Sequence, residues 1–294
     1  MAEYPVRQPL VTVAISFFNN EAVLGDAIVS VLNQSFPDWE LILIDSGSSD
    51  RSLDVAREFT DERIRIVADG RYKSFVECLN QSVSLASGKF YARMDSDDVM
   101  HPERLEVQAR FLEEHPDVHL VDTGMYSMTQ EGELTGERTR AAPAEWTLRT
   151  ILAGRTLNHA TAMGRVEWFR SHPYDPSYLR AEDLELWCRT AGRSIFARIA
   201  RPLYYVREGK VSIPNYRKAQ ETSRRIFRQY GPQSLAPAEI RLLVLKAHLK
   251  SWIYAVMGWL GMQDLLTQAR NRKLEPGVLA EARRMLIAGL KRRS

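Results

Sequence analysis

The chain has 294 residues, 45% apolar and 26% charged, which is ordinary for a globular protein with room for a full core. The net charge of +3 hides an asymmetry: residues 211–294 hold 16 Lys/Arg against 5 Asp/Glu, a net +11, which leaves 24 against 32, a net −8, in the rest. Two cysteines, Cys78 and Cys188, are too few for a disulfide framework and lie in apolar helical patterns, as reduced core residues of a cytoplasmic protein would. The opening "MAEYPVRQPL" has no basic and apolar regions of a signal peptide, and no apolar run reaches the roughly 20 residues that span a bilayer.

The first hundred residues alternate. A β-branched apolar run at 10–16 predicts a buried strand, 22–34 has helical spacing, 39–45 predicts a second strand, and 51–59 a helix after the turn "SGSSD". A short strand at 64–67, a helix at 74–86 closed by Ser87-Gly88, and a strand at 89–94 follow. Then come Asp95-Ser96-Asp97-Asp98 and a helix with Pro102 near its first turn. This alternation predicts an α/β fold with a parallel, doubly wound sheet, strand C-terminal ends sharing one edge. Asn19-Asn20, Asp45 to Asp50 and Asp95 to Asp98 all follow strands, so they are expected together where such folds bind ligands. Neither a G-x-G-x-x-G after the first strand nor a G-x-x-x-x-G-K-[ST] is present, which argues against dinucleotide and P-loop chemistry.

Beyond residue 117 the pattern reads as a strand and hairpin (118–128 with 132–139), a short strand (158–165), a helix stub, a helix over 181–192 stopped by Gly192, and final strands in 194–208. From Asn215 onward it is helical: 216–230, about 237–260, about 262–272 and 277–291.

Three acidic constellations carry candidate chemistry. Asp95-x-Asp97 at a strand end suits Mg²⁺ or Mn²⁺, which take one or two carboxylates plus substrate phosphate oxygens; an Asx-turn before the next helix is the structural alternative. Asp45-Ser46-Gly47-Ser48-Ser49-Asp50 offers backbone N–H groups and an acid for a nucleoside, with Asp50 also readable as a helix N-cap. Glu182 and Asp183 repel as neighbours, so burial would raise a pKa toward general-base use, and Trp187 stands one turn from Asp183; decoration of a helix N-terminus is the alternative. His159 on a strand reads as structural.

Together these motifs resemble the family 2 glycosyltransferases of GT-A fold, in the bacterial surface-polysaccharide group. "SVLNQSFPDWELILIDSGSSD", "GKFYARMDSDDVMHPERL", "PYDPSYLRAEDLELWCR" and "RPLYYVRE" occur in the expected order across roughly 9–210. The resemblance implies a mostly parallel mixed sheet flanked by helices, and an inverting transfer from a nucleotide-diphosphate sugar, aided by Mn²⁺ or Mg²⁺. It implies Asp97 as metal ligand with Asp95 beside it, Asp183 as the base, and Glu182 and Trp187 facing the acceptor. It places Phe17, Asn19, Asp45 and Ser46 round the nucleoside, with Arg93 and Lys73 positioning the donor. A UDP-sugar is the expected donor, although Ser46 stands where the family usually has a second acid that contacts the base. Glu208 stands where many relatives carry a histidine, and is a further candidate metal ligand. The chain divides on this reading into a GT-A domain at 1–212, with a nucleotide-sugar half at 1–117 and an acceptor half at 118–212, and a basic helical region at 213–294.

Trp252, Tyr254 and Trp259 with Lys246 and Lys250 resemble an interfacial amphipathic segment, which with the +11 charge suggests docking on an anionic cytoplasmic leaflet and a saccharide or lipid-linked acceptor. Packing on the catalytic body or on a second copy, as a homo-oligomer, is the alternative. No nucleic-acid partner is expected. The competing functions are a nucleotidyltransferase, disfavoured because "FFNNEAVLGD" carries no Lys or Arg, and an inactive nucleotide-sugar-binding module.

Overall fold

The computed structural model describes residues 8–209, 212–262 and 271–291. The helix expected near 262–272 falls largely outside them, as do the last three residues of the basic C-terminus. The parallel core is β1 (Val11–Phe17), β2 (Trp39–Asp45), β3 (Ile64–Val67) and β4 (Phe90–Asp95), in the order β3-β2-β1-β4. β1 lies between β2 and β4, so the strand order reverses there, which is where open α/β sheets bind ligands. Alternation sorts β1: Val11, Val13 and Ile15 enter one core with α1 (Leu24–Leu32) and α4 (Arg104–Glu114). Ala14 enters the other core with α3 (Phe75–Leu85) and α6 (Val166–Ser171).

Past β4 the sheet turns mixed. β5 (Val99–Met100) follows the aspartates at once and pairs antiparallel with β9 (Phe196–Arg207). β6 (Leu120–Met128) runs parallel to β9 and antiparallel to β7 (Leu134–Arg138) and β8 (Met163–Arg165), and β8 closes the sheet against β4. The expected final strands are one bent strand, β9, with shifts in register opposite Thr123 and Gly124. β5 and the five-residue helix α5 (Leu148–Leu152) are too short to leave a periodic signal in sequence. The aspartate loop is therefore a two-residue-strand connection clamped under β9, because β5 has no length of its own to fix it.

Helix ends match local chemistry. Ser74 and Glu77 form a reciprocal capping box on α3. The N-cap of α2 (Ser52–Arg57) is Arg51, without a side-chain cap, and not Asp50 as expected; Asp50, one residue earlier, accepts the Ser52 N–H at 2.9 Å. Gly88 differs from expectation: it is no left-handed cap, but a Cβ there would come within 2.6 Å of the Thr12 nitrogen, so its smallness lets the chain pass over β1. Gly192 does end α7 (Glu182–Thr190) with a φ of 76°.

The C-terminal helices pack on this body. α8 (Ile213–Tyr230) buries Ile226 and Tyr230 in the second core, and the Tyr230 hydroxyl donates to Glu185 at 2.6 Å. α10 (Pro276–Leu290) buries Ala282 and Leu286 against Tyr205 and Tyr126. α9 (Pro237–Trp259) packs on α8 with Ala247 and Tyr254 buried, Tyr254 stacked on Tyr216 with ring centroids 3.6 Å apart. Tyr254 thus points away from the interfacial face expected of it, because a buried stack and an exposed face lie on opposite sides of one helix. Among the described residues no helix is long and apolar enough to cross a membrane.

Candidate active site

The register brings the loops after β1, β2 and β4 to one edge: Phe17 lies beside Asp45, and Ser16 beside Asp95. Side chains stitch the loops together. Asn19, at a left-handed φ of 53° that asparagine tolerates, accepts the Ser49 N–H at 2.8 Å. Asn20 Nδ2 donates to Ser96 Oγ, joining the β1 and β4 loops. Asp45 is buried and accepts the Ser48 N–H at 2.9 Å, which closes the turn into α2.

Over this edge opens a cavity of about 640 Å³, within the usual range for a small-molecule site. Phe17, Ser46, Lys73, Arg93, Asp95 and Glu182 line it, so six of the expected site residues share one cavity. Asn19, Asp45, Asp97 and Asp183 are not among the residues that line it. Lys73 Nζ lies 2.9 Å from Asp69.

The aspartates are held by two arginines from different parts of the sheet. Arg93, buried in β4, pairs with the Asp95 carboxylate and lies over the Phe75 ring at 5.3 Å. Burial alone would lower the Arg93 pKa, but Asp95 and its neighbours hold it above the usual range. Arg207 of β9 donates its backbone N–H to Asp98 Oδ1 at 2.7 Å, Nε to the Asp97 carbonyl at 2.9 Å, and a guanidinium nitrogen to Asp26 at 3.0 Å. Burial, then the Asp95 charge, pushes the Asp97 carboxyl up. Asp98 rises further, from burial and then from Asp95 and Asp97, which agrees with a structural part for it.

Facing them is the start of α7. Arg180 and Ala181 take left-handed φ values of 70° and 58°, a conformation that costs energy and turns the chain sharply into the helix. Glu182 follows on the cavity wall; burial first, then repulsion from Asp183, pushes its pKa up to about 7. Asp183 is raised mainly by burial, against the pull of Leu184 N–H and Arg93. His159 is held well below its ordinary pKa by burial and by Arg93, so it is neutral, and it hydrogen-bonds Tyr174 at 2.8 Å; it is structural, as expected.

Two expectations are corrected. Trp187 does not face an acceptor: it is fully buried among Trp168, Phe196 and His159, because its face of α7 is the one that packs on the second core. Glu208 is not gathered with the aspartates: Arg138 pairs with its carboxylate and Asn271 donates to it at 2.9 Å. Among the described residues no three His, Cys, Asp or Glu side chains gather into a complete metal cage.

The structure adds residues that sequence reading missed. Phe18 and Tyr72, exposed aromatics meeting edge to face at 5.8 Å, flank the cavity. Arg180, Asn215 and Lys218 also line it, the last two from α8. The available signal was the exposed aromatic itself; Lys218 is one of many helical cations, and nothing local marks it out.

The mixed sheet with its acidic loop after β4 matches the GT-A fold of glycosyltransferases, as the likeness to solved structures shows. The chain superposes on a mannosyltransferase of Pyrobaculum calidifontis with a TM-score of 0.61 at 16% identity, over 97% of this chain and 87% of that one. It superposes on residues 1–349 of S. aureus TarS with a TM-score of 0.58 at 19% identity, over 82% and 72%. The profile described as Glycosyl transferase family 2 matches residues 12–196, and the chain belongs to that family of glycosyltransferases. It is 33% identical over 207 residues to EpsE of Bacillus subtilis, a candidate glycosyltransferase, covering 68% of this chain and 73% of that one. It is 27% identical over 178 residues to the Escherichia coli glucosyltransferase WfgD, covering 60% and 68%.

The raised Glu182 pKa predicts a pH-dependent stability. A carboxyl that is near 7 folded and near 4.5 unfolded binds more protons folded between those values, so its cost to stability is full above pH 7 and fades as pH falls to 4.5. Glu182→Gln should therefore raise the melting temperature of the free protein at pH 8, with the gain shrinking to nothing near pH 4.5. A gain that is the same at both pH values, or absent at pH 8, would contradict the raised pKa.

Proposed function

We propose that the protein moves a sugar, with inversion, from a nucleotide-diphosphate sugar to a hydroxyl of a saccharide or lipid-linked saccharide, with a divalent cation at Asp95 and Asp97. The observation that carries this is one cavity lined both by Asp95, from the strand-end carboxylate pair, and by Glu182, from the pair at the start of α7. The relatives support it: the mannosyltransferase is solved with GDP-Man and Mn²⁺, TarS with UDP-GlcNAc, and WfgD is named for transfer from UDP-Glc to a GlcNAc-diphosphoundecaprenol. These nucleotides differ, and the aromatic pair Phe18 and Tyr72 would stack on either base, since every base has a π-face.

The donor set fits the cation. Asp97 receives no hydrogen bond from another side chain among the described residues, and Asp95 and Asp97 together offer hard oxygens, with substrate phosphate completing the shell. The cation would neutralise charge on the departing diphosphate. Asp183 takes the acceptor proton; the diphosphate leaves unprotonated, so one base suffices. Arg93 holds Asp95, and its charge favours the ionised form of Asp183.

The outer face of α9 docks on an anionic leaflet. At 3.6 residues per turn Leu242, Leu245, Leu249, Trp252 and Trp259 share the side opposite the buried Ala247 and Tyr254, with Trp252 and Trp259 64% and 84% exposed. Arg241 and His248 border that side on one edge, and Lys246 and Lys250 on the other, so its charge complements an anionic surface.

Two measurements follow. Asp183→Asn should lower kcat by about 10²–10⁴ while donor binding persists, whereas Glu182→Gln should keep measurable turnover; the reverse pattern would give the base role to Glu182. The full chain should pellet with phosphatidylglycerol vesicles and not with phosphatidylcholine vesicles, and Trp252→Ser/Trp259→Ser should abolish it. Pelleting that survives the double change would remove α9 from the contact.

A further inference from the structure

The candidate site borders a second cavity near Lys218. Leu179 and Lys218 line both, and the second, of about 560 Å³, lies between α8, the chain before α7, and α9. Its walls carry Lys218, Arg224, Arg225, Arg228 and His248 against one acid, Glu221. On α8 the cations fall at i, i+7 and at i, i+4, so they occupy one strip of the helix, and Lys218 to Arg225 is about 10 Å of it.

Among the described residues Lys218, Arg224 and Arg228 enter no ion pair, whereas most arginines elsewhere on the catalytic body do. Arg225 is set in place: it donates to the Ser177 carbonyl at 3.0 Å and lies over the Tyr178 ring at 4.0 Å. A row of cations this close repels itself unless an anion joins it, and planar guanidinium groups match phosphate oxygens in pairs. His248 is also one of the residues bordering the α9 apolar face, one turn from Leu245 and from Trp252. The cationic groove therefore adjoins the carboxylate cavity at Leu179 and Lys218 and the apolar face at His248.

We propose that this groove is a subsite for the phosphate or diphosphate of the acceptor, holding the acceptor so that its sugar hydroxyl reaches the α7 carboxylates. This rests on the glycosyl transfer proposed above, and it names the acceptor class of that site: a phosphorylated saccharide, carried by a lipid or free. The groove selects for the phosphate by charge, and α9 distinguishes the source, since only a lipid-borne phosphate also meets the apolar face.

The test uses the full chain with EDTA, which removes the cation and with it metal-bridged binding at Asp95 and Asp97. Binding of inorganic pyrophosphate and of farnesyl diphosphate is measured by calorimetry. Both should bind the unmodified chain, and Arg224→Gln/Arg228→Gln should weaken both roughly tenfold or more with an unchanged melting temperature. Asp97→Asn should leave both unchanged. Tighter binding of farnesyl diphosphate than of pyrophosphate supports a lipid-linked acceptor; equal binding supports a free phosphorylated one. No binding of either, or binding that the double variant leaves intact, overturns the groove. Failure of the transfer reading would show separately, as nucleotide binding insensitive to Asp97→Asn in the presence of Mn²⁺.

Discussion

The site depends on one buried cation. Asp95, Asp97, Asp98, Glu182 and Asp183 crowd the end of the sheet, and burial raises Asp97, Asp98, Glu182 and Asp183 above their ordinary pKa values. Arg93 stands within this group, pairs with Asp95, and lowers the pKa of Asp97, Glu182 and Asp183 against that trend. Without it, these carboxyl groups would be raised further and would hold their protons more readily.

Keeping an arginine buried needs its own support. Arg104 reaches the Arg93 carbonyl at 2.9 Å and holds Gln108 at 2.9 Å, and Gln108 in turn donates to Val121 and Thr161 carbonyls. Tyr204 accepts the Asp95 N–H at 3.1 Å and lies beneath Arg104 at 5.2 Å. Arg207 then ties the aspartate loop to β9 and α1. The mixed half of the sheet thereby fixes the acidic loop of the parallel half.

Much of this was legible in the chain. The alternation of apolar runs placed β1 to β4, and their C-terminal ends carried Asp45 and Asp95 to one edge. The motif order identified the family. What was not legible came from long-range partners: the cation that clamps Asp97 and Asp98 is Arg207, far along the chain, and nothing near "MDSDD" announces it. Trp187 was misread for a related reason. Helical spacing puts it one turn from Asp183, yet which face of a short helix is buried is decided by Trp168 and Phe196 from elsewhere in sequence. Glu208 likewise met Arg138 and Asn271 across the sheet. Short elements such as β5 left no period to read.

The central claim is that Asp95 and Asp97 hold a cation that binds a nucleoside diphosphate. Its most direct test is a thermal-shift comparison of UDP and GDP with the protein, each with and without Mn²⁺. At a hundredfold excess over Kd, a ligand that binds only the folded state stabilises it by about 2.7 kcal/mol, so one nucleotide should raise the melting temperature by several degrees with Mn²⁺ and little without it. Asp97→Asn should remove that metal-dependent rise. Stabilisation equal with and without Mn²⁺, or unchanged in Asp97→Asn, would contradict the account.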